Sequence, residues 1–135
     1  RINRRQRQMC IRDRVNSVSN IYDDLIIVYG CGGERDSSER EKIMKFVCTN
    51  SRKVIFTSDN SRNESFQSIL DDSRKDQEYS NLSVEPDRKR AIKSGLEVIK
   101  EDEILLILGK GHEEFQEING TKIPFNDQRV VEKML

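Results

Sequence analysis

The sequence predicts an α/β domain, a doubly wound and mostly parallel sheet that closes with a C-terminal β-hairpin and a short terminal helix. Three observations carry that expectation. Two unbroken apolar runs, Leu25-Ile26-Ile27-Val28-Tyr29 and Ile104-Leu105-Leu106-Ile107-Leu108, each stop at a glycine. Runs without polar alternation suit strands covered on both faces, as parallel strands are. Segments with helical apolar spacing separate such runs, and alternating strands and helices build parallel crossover units. Near the end, Asn119-Gly120 stands between Phe115–Ile118 and Thr121–Phe125, and this dipeptide is the strongest short-range signal for a two-residue hairpin. The architecture is Rossmann-like in that right-handed crossovers bring the carboxyl ends of the parallel strands to one edge.

The first strand is expected over Asp24–Gly30. In the loop that follows, Asp36 and Glu39 have capping-box spacing, so a helix is predicted from there to about Cys48, with Ile43, Met44, Phe46 and Val47 on its apolar face. Lys53–Ser58 reads as a second strand ending in the polar turn Asp59-Asn60-Ser61-Arg62. The next helix is expected to take Asn63 as its N-cap and to turn Phe66, Ile69 and Leu70 inward. Residues 73–81 read as polar loop and Leu82-Ser83-Val84 as a short strand. Pro86 suits the first turn of a helix over about 86–100, on which Ile92, Leu96 and Ile99 share a face. Glu103–Leu108 forms the last parallel strand. A helix capped by Asn126 or Asp127 ends the chain, with Val130, Val131, Met134 and Leu135 as its inner face.

With 135 residues the chain has the length of one domain, and 34% hydrophobic against 36% charged residues leaves its core lean. The formal net charge of zero conceals an asymmetry: residues 1–14 hold six arginines and one acid, which leaves 18 basic against 23 acidic side chains over 15–135. The body therefore lacks the basic footprint of a nucleic-acid surface. Cys10, Cys31 and Cys48 are odd in number and show no CxxC spacing, so neither a zinc site nor a disulfide framework is expected, and a reducing cytoplasm is the compartment implied. No apolar stretch approaches membrane-spanning length. The segment RQRQMCIRDR resembles a translated sequencing-adapter remnant, so residues 1–14 are expected to be a non-native, disordered tail and 15–135 the folded domain. A phosphate-gripping basic arm is the other reading, though the segment has no aromatic residues and no periodic apolar face.

Three loops should meet at the carboxyl edge: Gly30–Asp36, Ser58–Arg62 and Gly109–Phe115. They bring Arg35, Asp59, Asn60, Arg62 and Glu113 together, a set able to hold a small zwitterion, since a guanidinium forks onto a carboxylate and a carboxylate accepts from an ammonium. Each residue also has an ordinary reading: Arg35 pairing with Asp36, Asp59-Asn60-Ser61 as a plain turn, Glu113 in solvent. Lys110 meets phosphate or solvent, and His112, the single histidine, is an acid or base or else a hydrogen-bonded structural residue. Cys31, with no base beside it in the sequence, reads as structural. Gly109-Lys110-Gly111 is not a phosphate loop, because neither the upstream glycine spacing nor a hydroxyl residue after Lys110 is present.

The ordered set GCGGERD, TSDNSR, the pair Asp87-Arg88 before Ala91-Ile92, and GKGHEEFQ followed by PFND resembles the carboxyl-terminal domain of the Mur ligases, over roughly residues 22–135. The resemblance is to those members that add diaminopimelate as the third residue of the peptidoglycan stem peptide. It implies a UDP-binding domain and a central ATPase domain upstream, with ATP and Mg bound mainly there. It implies a cytoplasmic, ATP-dependent amino-acid ligase acting as a monomer on diaminopimelate and UDP-MurNAc-L-Ala-D-Glu, with no nucleic-acid or membrane partner. By the same resemblance Arg35 binds the carboxylate near the reacting amine, Asn60 and Arg62 the distal carboxylate, and Asp59, Glu113 and the Gly109 carbonyl the distal ammonium.

Some positions depart from the family pattern. Ser61 stands where the family has proline, Glu34 where it usually has Asp, and Glu39-Arg40-Glu41 where it has Lys-Arg-Pro, which weakens any phosphate-facing role of that segment. The family's first strand of this domain and its ATP-contacting Asp-Tyr-Ala-His-Thr-Pro loop are not found before Asp24, so the domain reads as truncated and inactive by itself. A non-enzymatic phospho-acceptor receiver is the alternative α/β module, but its paired acids should follow the first strand, whereas Asp23-Asp24 precede it.

Overall fold

The computed structural model describes residues 15–16, 24–32, 39–60, 63–108, 115–118 and 121–135, the hairpin strands by their backbone. The elements are β1 (Leu25–Tyr29), α1 (Arg40–Thr49), β2 (Lys53–Phe56), α2 (Phe66–Arg74), β3 (Leu82–Val84), α3 (Arg88–Val98), β4 (Ile104–Leu108), β5 (Phe115–Ile118), β6 (Thr121–Pro124) and α4 (Asp127–Met134). Four parallel strands form one sheet in the order β3-β2-β1-β4, and β5 and β6 pair antiparallel. The expected doubly wound fold with its terminal hairpin is thus the observed one.

Strand order follows from where the apolar residues are. All five residues of β1 are buried, as a central strand requires, and each such aliphatic burial contributes about 2 kcal/mol. Their side chains alternate: Leu25, Ile27 and Tyr29 join Ile43, Met44, Val47, Ile69 and Leu70, while Val28 joins Ala91 and Ile92 on the other face. Helices α1 and α2 therefore cover one face and α3 and α4 the other. After β3 the chain reverses direction to lay β4 beside β1, and a right-handed crossover that reverses must pass over the opposite face. The reversal makes a topological switch point at the carboxyl ends of β1 and β4.

Several local expectations are corrected. The first helix begins at Arg40 with Glu39 as its N-cap, and Asp36 lies outside the described residues. Arg40 is drawn inward by acids from α2 and the preceding segment, which sets the first turn there. Ser65, not Asn63, caps α2, its hydroxyl accepting from the Ser68 amide at 3.1 Å. Asp87, not Pro86, starts α3 by accepting from the Arg90 amide, and Ile99 is already extended, so the helix is shorter at both ends than expected. Residues 104–107 of β4 are half-buried because β4 lies at the sheet edge with β1 as its one partner among the described residues. Asn126 caps α4, and Val130, Val131 and Met134 pack inward, but Leu135 is exposed beyond the last turn.

At the amino end of the sheet, Arg52 donates to both Glu103 oxygens and to the Val98 carbonyl at 3.0 Å, and the Lys100 amide donates to Glu103 at 2.8 Å. This ties the entry of β2 to the turn before β4. The hydrogen bond from Arg52 holds the Glu103 carboxyl below its ordinary pKa, against the opposing effect of desolvation.

Candidate functional site

At the carboxyl edge the chain leaving β2 lies against the end of β1. The Thr57 amide donates to the Tyr29 carbonyl at 2.8 Å, and an added Cβ at Gly30 would stand 2.4 Å from the Thr57 oxygen, 2.9 Å from the Ser58 carbonyl carbon and 3.0 Å from the Asp59 nitrogen. Glycine is therefore required at position 30 for this approach. Asp59 is 2% exposed and Asn60 is half-buried beside it, both on the chain that leaves β2 at the carboxyl edge.

A buried guanidinium organises the same edge. Arg88, at the first turn of α3, donates to both Asp127 oxygens at 2.8 and 2.7 Å, to the Ser58 carbonyl at 3.0 Å and to the Leu108 carbonyl at 3.1 Å. Since β1 lies between β2 and β4, this side chain bridges the end of the intervening strand and joins the starts of two loops to the start of α4. A planar fork of five donors suits such a junction, and bidentate contact with Asp127 satisfies its charge away from water.

Arg40 makes a second junction. It donates to the Gly32 carbonyl at 2.9 Å, to Glu64 at 2.9 and 3.0 Å and to Asp72 at 3.3 Å. The chain after β1 is thereby tied to the chain before α2. Its hydrogen bond to Glu64 raises the Arg40 pKa further, and at 2% exposure it faces inward, away from any phosphate in solvent.

Of the residues singled out in the sequence, Asp59 and Asn60 lie at this edge, whereas Arg35, Arg62, Gly109, Lys110, His112 and Glu113 fall outside the described residues. The described chain reaches Gly32, Asn60 and Leu108, so the three loops leave the fold at the edge where they were expected. Cys31 is half-buried against the core, and burial pushes the Cys48 thiol up to about 11. Sequence reasoning offered Asp127 as a helix cap, used Arg88 in the family resemblance and placed Arg40 in a segment that departs from the family pattern, but assigned none of the three to a buried ion pair. A signal was present: each precedes inward apolar residues at +3, +4 and +7, namely Ile43-Met44-Val47, Ala91-Ile92-Gly95 and Val130-Val131-Met134, so each lies on a buried face.

The fold is an α/β domain whose parallel sheet has a switch point at its carboxyl edge, the place where folds of this class bind ligands. The family model described as "Mur ligase, glutamate ligase domain" matches residues 11–111, and the chain belongs to that family. It is 43% identical over 113 residues to UDP-N-acetylmuramoyl-L-alanyl-D-glutamate–2,6-diaminopimelate ligase 2 of Clostridium acetobutylicum, covering 82% of this chain and 23% of that protein. It is 42% identical over 116 residues to the corresponding ligase of Aquifex aeolicus, with the same shares covered. A solved structure of a UDP-N-acetylmuramoyl-L-alanyl-D-glutamate–2,6-diaminopimelate ligase superposes with a TM-score of 0.87 at 32% identity, over 93% of this chain and 26% of that one. The chain thus spans about a quarter of the length of these relatives. The receiver alternative does not stand beside this match, and β1 is followed by Gly30-Cys31-Gly32 where a receiver would place acids. The family match begins at residue 11, within the arginine-rich segment, and Val15 is fully buried in the core.

Proposed function

We propose that this chain is the amino-acid-binding domain of a cytoplasmic, ATP-dependent ligase that joins meso-diaminopimelate to UDP-MurNAc-L-Ala-D-Glu in peptidoglycan biosynthesis. The observation that carries the proposal is the buried Asp59 beside Asn60 at the carboxyl edge, in a chain 43% identical to a protein named for that ligation. Asp59, with Glu113 and the Gly109 carbonyl, takes the distal ammonium of the amino acid. Asn60 and Arg62 take its distal carboxylate, and Arg35 takes the carboxylate next to the attacking amine. These residues bind and orient; the domain holds no residue to which a bond-making step is assigned.

ATP with Mg supplies activation of the accepting carboxyl group and belongs to the remainder of the parent protein. The sequence contains no phosphate loop. Lys110 and His112 are assigned a nucleotide-facing or structural role. The parent acts as a monomer without nucleic-acid or membrane partners. Among the described residues, no helix is long and apolar enough to cross a membrane.

Diaminopimelate differs from lysine by one distal carboxylate. Leaving Arg62 without that partner costs about 2–4 kcal/mol, a selectivity of roughly thirtyfold or more. In the full-length parent, kcat/KM for diaminopimelate should exceed that for lysine by this factor, and Arg62→Ala should remove the difference. Equal use of the two amino acids by the unmutated enzyme refutes the assignment. We also place residues 1–14 outside the folded domain. Their deletion should change unfolding free energy by no more than about 0.5 kcal/mol, the range of surface changes, and a larger loss refutes that boundary.

A further inference from the structure

We propose that Arg88 is a positioning residue for the amino acid held at the carboxyl edge, acting as a clasp that sets the chain after β2 and the chain between β4 and α4 in register. The inference rests on the reading of this edge as an amino-acid site. Arg88 binds the Leu108 carbonyl at 3.1 Å and both Asp127 oxygens, and these partners are the last residue of β4 and the first residue of α4. One guanidinium therefore closes both ends of the segment 109–126, which includes the hairpin β5–β6. The same group binds the Ser58 carbonyl at 3.0 Å, one residue before Asp59.

No backbone hydrogen bond of the parallel sheet can do this, because β2 and β4 are separated by β1. Placing a cation at the start of α3 opposes the helix dipole, whereas Asp127 at the start of α4 agrees with it. The buried arginine is thus not there to favour its own helix. Its four contacts lie on three different elements, all at the binding edge, and only a forked donor can make them together. Lysine at this position would keep the charge and lose the fork.

The test uses the full-length parent with Arg88→Lys, Arg88→Met and Asp127→Asn, each first checked for a cooperative thermal transition. KM for the amino acid should rise at least tenfold in Arg88→Met and by less in Arg88→Lys and Asp127→Asn. KM for the UDP-linked substrate and for ATP should stay within twofold, and kcat within about threefold. A residue that merely supports folding would lower the melting temperature and the active fraction and leave the amino-acid KM unchanged, so that pattern overturns the proposal. Amide hydrogen exchange gives a readout without turnover: Asp59, Asn60 and the strands 115–118 and 121–124 should exchange at least tenfold faster in Arg88→Lys than in the unmutated protein, with β1 unchanged. Unaltered exchange there overturns the clasp even where the protein ligates no amino acid. An unmutated parent that rejects diaminopimelate but shows the exchange effect refutes the ligase reading and leaves the clasp standing.

Discussion

Replacing Gly30 with alanine tests how tightly the site edge is built. The new Cβ would lie 2.4 Å from the Thr57 oxygen, 2.9 Å from the Ser58 carbonyl carbon and 3.0 Å from the Asp59 nitrogen, and real Cβ contacts essentially never fall below 3.0 Å. All three neighbours are backbone, so no rotamer change relieves the overlap. The chain from Thr57 to Asp59 must retreat, yet the Thr57 amide is bound to the Tyr29 carbonyl and the Ser58 carbonyl to Arg88. Overpacking of this kind costs about 1–3 kcal/mol, and the lower entropy of an unfolded alanine chain returns about 0.4–1 kcal/mol. With a 2.4 Å approach to backbone the upper half of the overpacking range applies, so a net loss of about 1–2.6 kcal/mol follows, a fall in Tm on the order of 3–10 °C for a chain of this size. Gly95→Ala is the control. Its Cβ would meet Leu105 Cδ1 at 2.9 Å and Val28 Cγ2 at 3.2 Å, the ends of side chains that can shift, and alanine gains about 1 kcal/mol of helix propensity. Urea unfolding of the 135-residue chain and its two variants measures both. The packing argument fails if Gly30→Ala matches the unmutated chain within about 0.5 kcal/mol, or if Gly95→Ala is the more damaging change.

Two further predictions concern the ion pairs. Arg40→Met leaves Glu64, Asp72 and the Gly32 carbonyl without the guanidinium. Since those acids are 23% and 20% exposed and water reaches them, the loss should be about 1–3 kcal/mol, below that of a fully buried pair; a cycle with Glu64→Gln that shows no coupling would refute the link. For Glu103, the folded carboxyl titrates below its unfolded value, so its contribution is fully present above the unfolded pKa of about 4.3 and is lost as pH falls through the lower folded pKa. Glu103→Gln should therefore flatten the acid limb of a plot of stability against pH, and parallel limbs for the two proteins would count against the pairing with Arg52.

The succession of elements is legible in the chain alone, because apolar runs of five residues and faces spaced for helices are local properties. Which strands end at the site is legible there too, since Gly30 and the polar residues from Ser58 onward interrupt their runs. The hairpin was legible for the same reason, as a turn is decided by the two residues in it. That β4 lies beside β1 at an edge among the described residues, with its own residues half-buried where a run of five aliphatics suggested a covered strand, emerges from the packing. The start of α1 was likewise decided by tertiary partners: Arg40 is held by Glu64 and Asp72 from elsewhere in the chain. Above all, the sequence shows Arg88 only as half of a motif pair, with no sign of its contacts. Its meaning depends on the Ser58 and Leu108 carbonyls and on Asp127, 30, 20 and 39 residues away. No local propensity encodes such contacts; they exist only once three strands and two helices have brought one guanidinium to the end of the sheet.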